Sequence, residues 1–144
     1  MEVKEPEIYY GILGKYRQHF SDPMLLVHSA NQGLTTSTMD DLIRISRRSR
    51  ESFAERLSIS VKTIERYKKE NKSFDPLKGE LILKWVQMYL KGIEVFGSAR
   101  SFNNWLSRPA AGLGGIVPDE ITTTTGGINL ILDELIRIEF GDLS

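Results

Sequence analysis

The amino-acid sequence predicts an all-α protein, and three observations support this prediction. Apolar residues recur at helical spacing in most of the 144-residue chain. Residues typical of helix N-caps and C-caps bracket the longest of these segments. No segment shows the strict apolar and polar alternation of a half-buried strand. We therefore expect an N-terminal arm, a helix-turn-helix module and a C-terminal helical module.

Residues 1–33 are predicted to form the arm, which is only weakly patterned. Asp22-Pro23 marks a break in it, and Gly33 ends a short apolar run over residues 24–30. The sequence leaves open whether the arm is ordered. The residues with rough helical spacing are Tyr9, Tyr10, Ile12, Leu13 and Tyr16.

Residues 34–74 are predicted to form the helix-turn-helix module. Ser37 or Thr38 can cap a first helix, and Ser49 precedes two short helices that are separated by residues 58–60. Two helices joined by so short a turn are typical of a helix-turn-helix, whose second helix lies in the DNA major groove. The seam between them is expected to consist of Phe53, Ala54, Leu57, Ile59, Ile64 and Tyr67.

Residues 75–144 are predicted to form the C-terminal module. Asp75 followed by Pro76 is a typical helix start, and the apolar spacing continues to Phe96, where Gly97 stops it. Trp85, Met88 and Tyr89 on this helix are compatible with either a core or a homodimer seam. A shorter helix is expected over Ala99–Leu106, a single turn at Pro118, and a last helix over residues 127–140 introduced by Thr124 or Thr125.

The glycine-rich loop at residues 112–115 is not expected to bind phosphate. A phosphate-binding loop needs a strand before it and a helix N-terminus after it, often with a lysine. Here a helix precedes the loop, no lysine follows it, and Asp119 and Glu120 place negative charge nearby. The glycines and Pro109 instead predict a tight reversal that packs the last helix on a core. That core is expected to contain Phe102, Trp105, Leu106, Leu113, Ile131 and Leu135.

Composition excludes several classes of protein. The chain is 40% hydrophobic and 26% charged, which is typical of a globular protein. It has no cysteine and only two histidines, so we expect no disulfide scaffold, no metal site, no cofactor and no catalytic triad. No apolar run reaches membrane-spanning length, and we expect a cytoplasmic protein without membrane contact. Asp133 and Glu134 alone give an enzyme little support.

The charge is unevenly distributed. Residues 44–72 contain ten Lys/Arg and four Glu, although the net charge of the whole chain is zero. This excess favours contact between the middle segment and a polyanion. The candidate DNA-binding residues are Ser60, Lys62, Thr63, Arg66 and Lys69 at the start of the second short helix. A helical hairpin whose charges only face water is the alternative, and Glu65 on the same helix is an objection to strong binding.

The C-terminal module contains a series of residues in a fixed order: Glu94-Val95-Phe96-Gly97, Phe102, Trp105-Leu106, Pro109, Leu113-Gly114-Gly115, Pro118, Thr124, Gly127, Leu135, Arg137-Ile138-Glu139 and Gly141. With this series the module resembles the toxin-binding domain of the Xre/MbcA/ParS antitoxin family. The resemblance spans roughly residues 33–142 and is most specific over residues 94–141. Three residues depart from the family pattern: Gly112, where Ala is frequent, Asp119, where an apolar residue is common, and Ser58, where the turn usually tolerates positive φ, often as Gly.

The resemblance implies an antitoxin of a type II toxin-antitoxin system. Its partner would be a RES-domain toxin, which resembles ADP-ribosyltransferases and consumes or transfers from NAD. The C-terminal domain would bind the toxin and form a homodimer, and the helix-turn-helix would repress the shared operon. After residue 97 the chain contains six Asp/Glu and three Arg, and this acidic surface suits contact with a toxin pocket that binds a phosphate-rich dinucleotide. The candidate toxin-binding residues are Arg137, Glu139, Phe140, Asp142 and Leu143.

Two alternatives stay open at this point. Arg137 and Glu139 are equally compatible with ordinary surface ion pairs. The whole chain is compatible with a stand-alone dimeric helix-turn-helix repressor that has no toxin partner, which would bind its operator tightly and with a steep salt dependence.

Overall fold

The computed structural model describes residues 4–141. Within these residues the chain forms eight α-helices, two 3₁₀ turns and no extended strand. The all-α prediction is confirmed. The helices are α1 (Lys4–Ser21), α2 (Pro23–Gln32), α3 (Thr36–Ser46), α4 (Arg50–Leu57), α5 (Val61–Glu70), α6 (Pro76–Phe96), α7 (Ala99–Leu106) and α8 (Thr125–Glu139), and the 3₁₀ turns are Ala111–Leu113 and Pro118–Ile121.

Several helix ends lie where the sequence predicted them. The Asp75 carboxylate accepts a hydrogen bond from the Lys78 backbone N–H at 3.0 Å, and Gly97 ends α6 with φ of 91°. Thr124 caps α8 through its side-chain oxygen. Ser58 separates α4 from α5 with φ of 58°. A non-glycine residue pays about 1 kcal/mol or more for that left-handed conformation.

The central helix of the fold is α6, which packs against α2, α3, α7 and α8. Trp85, Met88 and Tyr89 are at most 2% exposed, so they belong to the core of the single chain. Gly92 lies against the ring of Phe102, where the Cβ of any other residue would collide with it. This contact brings α7 close to α6.

The residues predicted as core around α7 and α8 are mostly buried. Phe102, Leu106, Ile131 and Leu135 have no exposed surface. Trp105 and Leu113 are half-buried and pack against the same core. The glycine loop reverses the chain tightly, since the backbone N–H of Ala110 donates to the carbonyl of Ile116 at 3.0 Å.

The N-terminal arm is a pair of helices folded onto the rest of the protein. Ile12 and Tyr16 of α1 are each 3% exposed. The Tyr16 hydroxyl donates to Asp41 of α3 at 2.6 Å, and the Glu5 carboxylate accepts from the backbone N–H of Ala99 at 3.1 Å. One apolar cluster continues from α1 to α8. The boundaries at residues 33/34 and 74/75 therefore stay predictions.

Candidate nucleic-acid and partner interfaces

The outer face of α5 carries the predicted DNA-binding residues. Lys62, Arg66 and Lys69 are exposed and have the spacing of one helix face, which Glu65 shares. The opposite face is anchored by Ile64, which is 2% exposed. The structure therefore places the three cations together, pointing away from the core.

The two predicted hydroxyl residues lie at the N-terminus of α5. The Ser60 side chain caps the helix by accepting from the Thr63 backbone N–H at 3.0 Å, and the two hydroxyl oxygens are 2.9 Å apart. Ser60 is exposed and Thr63 is half-buried. An exposed helix N-terminus with hydroxyl groups is a suitable phosphate contact.

Half of the basic residues in segment 44–72 form ion pairs with carboxylates outside that segment. Arg44, Arg47 and Lys68 keep 57%, 61% and 59% of their side-chain surface, so their pairs are weak and open to exchange. Arg48 and Arg56 are only 17% and 18% exposed, and both pair with Asp119. Two of the ten cations counted from the sequence are therefore unavailable to a polyanion.

Asp119 lies in the 3₁₀ turn Pro118–Ile121 and forms a polar network with the start of the α4 region. The Nη2 atom of Arg48 donates to both carboxylate oxygens of Asp119, at 2.9 and 3.0 Å. The Arg48 Nε donates to Asn103 Oδ1 of α7 at 3.0 Å. Asn103 in turn donates to the backbone carbonyl of Ser46 at 2.9 Å and accepts from the Tyr89 hydroxyl at 2.7 Å. Burial raises the pKa of Tyr89, which keeps this donor neutral.

The same network continues at the end of α4. Arg56 Nη2 lies 3.5 Å from Asp119 Oδ1, and Arg56 Nε donates to Thr122 Oγ1 at 3.1 Å. The backbone carbonyl of Thr122 accepts from the buried Trp85 Nε1 at 2.7 Å. The sequence analysis noted Asp119 as negative charge near the glycine loop and as a departure from the family pattern. It did not predict the pairing with Arg56, because a contact between residues 63 positions apart leaves no local signal.

Two predicted toxin-binding residues in α8 form ion pairs within the chain. The Arg137 Nε donates to Glu134 Oε1 at 2.9 Å, and the Glu134 side chain is 5% exposed. Lys91 of α6 donates to Glu139 at 2.7 Å, and this hydrogen bond lowers the pKa of Glu139. Arg137 still has 44% of its side-chain surface exposed. Their role in toxin binding stays a prediction.

Phe140 follows α8 and is 79% exposed, which makes it a large apolar side chain facing solvent. Asp142 and Leu143, the other two predicted contacts, lie outside the described residues.

Two exposed apolar residues of α8 were missed. Leu130 is 55% and Ile136 is 44% exposed, and both lie on the side of the helix that carries Asp133 and Arg137. The sequence contained a signal for them. The apolar residues with helical spacing in this helix are Ile128, Ile131, Leu132, Leu135 and Ile138, and neither Leu130 nor Ile136 belongs to that set. We define the outer face of α8 as Leu130, Asp133, Ile136, Arg137 and Phe140.

A groove runs between α1 and α6, and one end of it reaches α8 beside this face. It consists of two adjoining cavities of about 530 and 300 Å³ that share Tyr9, Leu13 and Glu94. Ile136 lines the smaller one. The described residues contain no group of three or more His, Asp or Glu side chains that would hold a metal ion.

The comparison with protein families bears on this half of the molecule. Residues 91–141 match the family model of the antitoxin Xre/MbcA/ParS C-terminal toxin-binding domain. The predicted resemblance to this antitoxin family is confirmed over that segment. We refer to residues 91–141 as the matched domain. No curated protein matches the chain significantly. Among the described helices, none has both the length and the apolar character needed to cross a membrane.

Polar contacts from the rest of the chain reach α7 and the segment around the turn Pro118–Ile121 in the matched domain. Glu5 of α1 contacts the N-terminus of α7, and Arg48 and Arg56 contact the turn at Asp119. The outer face of α8 lies away from these contacts and carries three of the exposed large apolar residues of the described chain. Such residues on one helix face are typical of an interaction surface.

Proposed function

We propose that this chain is an antitoxin that neutralises its toxin by direct binding through the outer face of α8. The observation that carries the proposal is the position of the family match, over the domain whose last helix exposes Leu130, Ile136 and the adjoining Phe140. Apolar and aromatic anchors within a polar rim give most of the binding energy at protein interfaces. Asp133 and Arg137 supply that rim.

We infer that the toxin is of the RES type and consumes NAD or transfers ADP-ribose from it, in a type II system in the cytoplasm. The resemblance stated from the sequence supports this inference. So does the acidic character of the region after residue 97, because a pocket for a dinucleotide is expected to be basic. The chain would act by binding and would carry out no catalysis itself.

We further propose that α4 and α5 form a helix-turn-helix that represses the operon, with the chain acting as a homodimer. The support is the exposed row Lys62, Arg66 and Lys69 beside the hydroxyl groups of Ser60 and Thr63. Lys and Arg contact guanine edges and phosphates, and a dimer reads two half-sites about one helical turn apart.

The first test is co-purification of the chain with the product of the neighbouring gene, followed by an assay of NAD loss. We expect a stable complex in which NAD consumption is suppressed, and the suppression should follow the amount of chain added. Absence of a complex together with tight, specific binding to upstream DNA would favour the stand-alone repressor.

A further inference from the structure

Asp119 contacts the polypeptide at both ends of α4. Arg48 precedes the helix by two residues, and its Nη2 lies 2.9 and 3.0 Å from the two carboxylate oxygens. Arg56 belongs to the last turn of α4, and its Nη2 lies 3.5 Å from Oδ1. One carboxylate in the matched domain therefore contacts both ends of the helix that precedes α5.

The surrounding groups favour a fixed geometry. Each arginine makes additional hydrogen bonds, Arg48 to Asn103 and Arg56 to Thr122 and to Ser52. The side chains of Arg48, Arg56 and Asp119 are 17%, 18% and 24% exposed. Salt screens such partly buried pairs less than surface pairs, and planar guanidinium groups fix direction as well as distance.

The apolar contacts of α4 leave the direction of the helix less restricted. Phe53 packs on Trp85 with ring centroids 5.3 Å apart, and Ala54 and Leu57 are buried beside it. Hydrophobic burial is non-directional, so it fixes how deeply α4 sits more than how it is oriented. Arg48 and Arg56 belong to opposite ends of α4, and their guanidinium groups converge on the one Asp119 carboxylate, so the two contacts together restrain the orientation of the helix.

We propose that Asp119 is a positioning residue that sets the orientation of α4, and with it α5, on the matched domain, and thereby the sequence discrimination of DNA binding. The DNA part rests on the function proposed above. Base recognition requires side chains placed to within about 0.5 Å by the groups that support them. Contacts to phosphates tolerate more error, because they depend mainly on charge.

The substitution Asp119→Asn separates positioning from charge. It keeps the shape of the side chain, removes one negative charge and replaces one acceptor oxygen with an NH₂ donor, so that the contact of Arg48 with both oxygens is lost and the ion pairs with Arg48 and Arg56 are removed. A role in charge alone predicts tighter binding to any DNA. The positioning role predicts that affinity for the preferred duplex falls while affinity for a shuffled duplex does not fall.

The experiment uses overlapping duplexes from the region upstream of the chain's own gene. The affinity of the full-length chain for the tightest duplex is compared with its affinity for the same duplex in shuffled order. We expect Asp119→Asn to lower this ratio by about fivefold or more, since one well-placed base contact discriminates by roughly that factor. Glu120→Gln is the matched control, with the same charge change at an exposed neighbour, and should leave the ratio unchanged.

A second variant guards against a folding defect. Arg48→Lys keeps the charge but loses the contacts that need a guanidinium, and it should change the ratio in the same direction by a smaller factor. An unchanged ratio in both variants, or an equal loss of affinity for both duplexes, would overturn the proposal.

A measurement without DNA tests the positioning directly. The chain has no cysteine, so spin labels attach only at the two introduced cysteines, Glu65→Cys on α5 and Asp133→Cys on α8. The distance between the two labels is then measured. We expect a narrow distance distribution in the parent chain and a broader or shifted one with Asp119→Asn. An unchanged distance distribution would overturn the positioning role of Asp119 and would leave the proposed DNA-binding function standing. If the parent chain prefers no duplex, the DNA-binding function fails and the discrimination claim fails with it.

Discussion

The outer faces of α5 and α8 present opposite chemistry on one chain. On α5 four of the six exposed side chains are cations, the other two being Glu65 and Glu70, and the apolar residues are buried or half-buried. On α8 the apolar residues also fill the core, yet three further large apolar side chains face outward. A charged face suits a polyanion and is salt-sensitive, whereas an apolar face suits a protein surface and is not. This difference is the reason why we propose separate partners for the two helices.

The largest expected effect concerns the apolar face. Changing Ile136→Asp together with Phe140→Asp should weaken toxin binding by about 100-fold or more, because central apolar anchors contribute roughly 2–4 kcal/mol each. The measurement is a titration of the toxin with the variant chain, in which the remaining NAD consumption is followed. Leu77→Asp is the control, since Leu77 is 84% exposed at the start of α6, outside the matched domain. Equal inhibition by the double variant and the control would place the contact elsewhere.

The complementary change concerns the charged face. Lys62→Ala with Arg66→Ala should weaken operator binding by about 10-fold to 100-fold and reduce the slope of log affinity against log salt by up to about two. Inhibition of the toxin should be unaffected. Loss of both activities in a chain that still melts normally would contradict the separation of the two faces.

A smaller effect concerns the support of α8. A Cβ at Gly112 would collide with the Glu134 carboxylate, which is buried and bonded to Arg137. Gly112→Ala should therefore lower the free energy of unfolding by about 1 kcal/mol, the low end of the range for overpacking, because the end of the flexible Glu134 side chain can move away from the added Cβ. Gly126→Ala is the control, because a Cβ there meets no atom within 4 Å. A chain that tolerates Gly112→Ala as well as the control would contradict the described position of Glu134.

The smallest effect is a pH dependence at the edge of the α8 face. Lys91 lowers the pKa of Glu139 from its ordinary 4.5. The pair therefore stabilises the fold above that pH, and the contribution is lost as pH falls through the lowered pKa of the folded state. Glu139→Gln should remove this small acid-dependent loss, as followed by melting temperature between neutral and acidic pH. An identical pH profile in the variant would show that the pair contributes nothing.

The sequence predicted local features of the fold well. The ends of α6 and α7 and the turn at Ser58 follow from capping residues and helical spacing, which act over a few positions. The packed state of α1 did not follow, because its burial depends on distant partners such as Asp41 and Ala99.

The candidate sites were predicted to different degrees for the same reason. Lys62, Arg66 and Lys69 share one face by spacing alone, and the structure places them together. The charge count overstated the basic surface, since the pairing of Arg48 and Arg56 with Asp119 bridges distant segments. On α8, the prediction concentrated on the charged C-terminal end and omitted Leu130 and Ile136. Their positions outside the set of apolar residues with helical spacing already indicated exposure.

The measurement that tests the division between the two faces most directly is hydrogen exchange of the full-length chain with and without the product of the neighbouring gene. We predict slower exchange in α8, at residues 129–140, and unchanged exchange in α5, at residues 61–70. Protection of α5 with α8 unchanged would contradict the assignment of the partner surface to the outer face of α8.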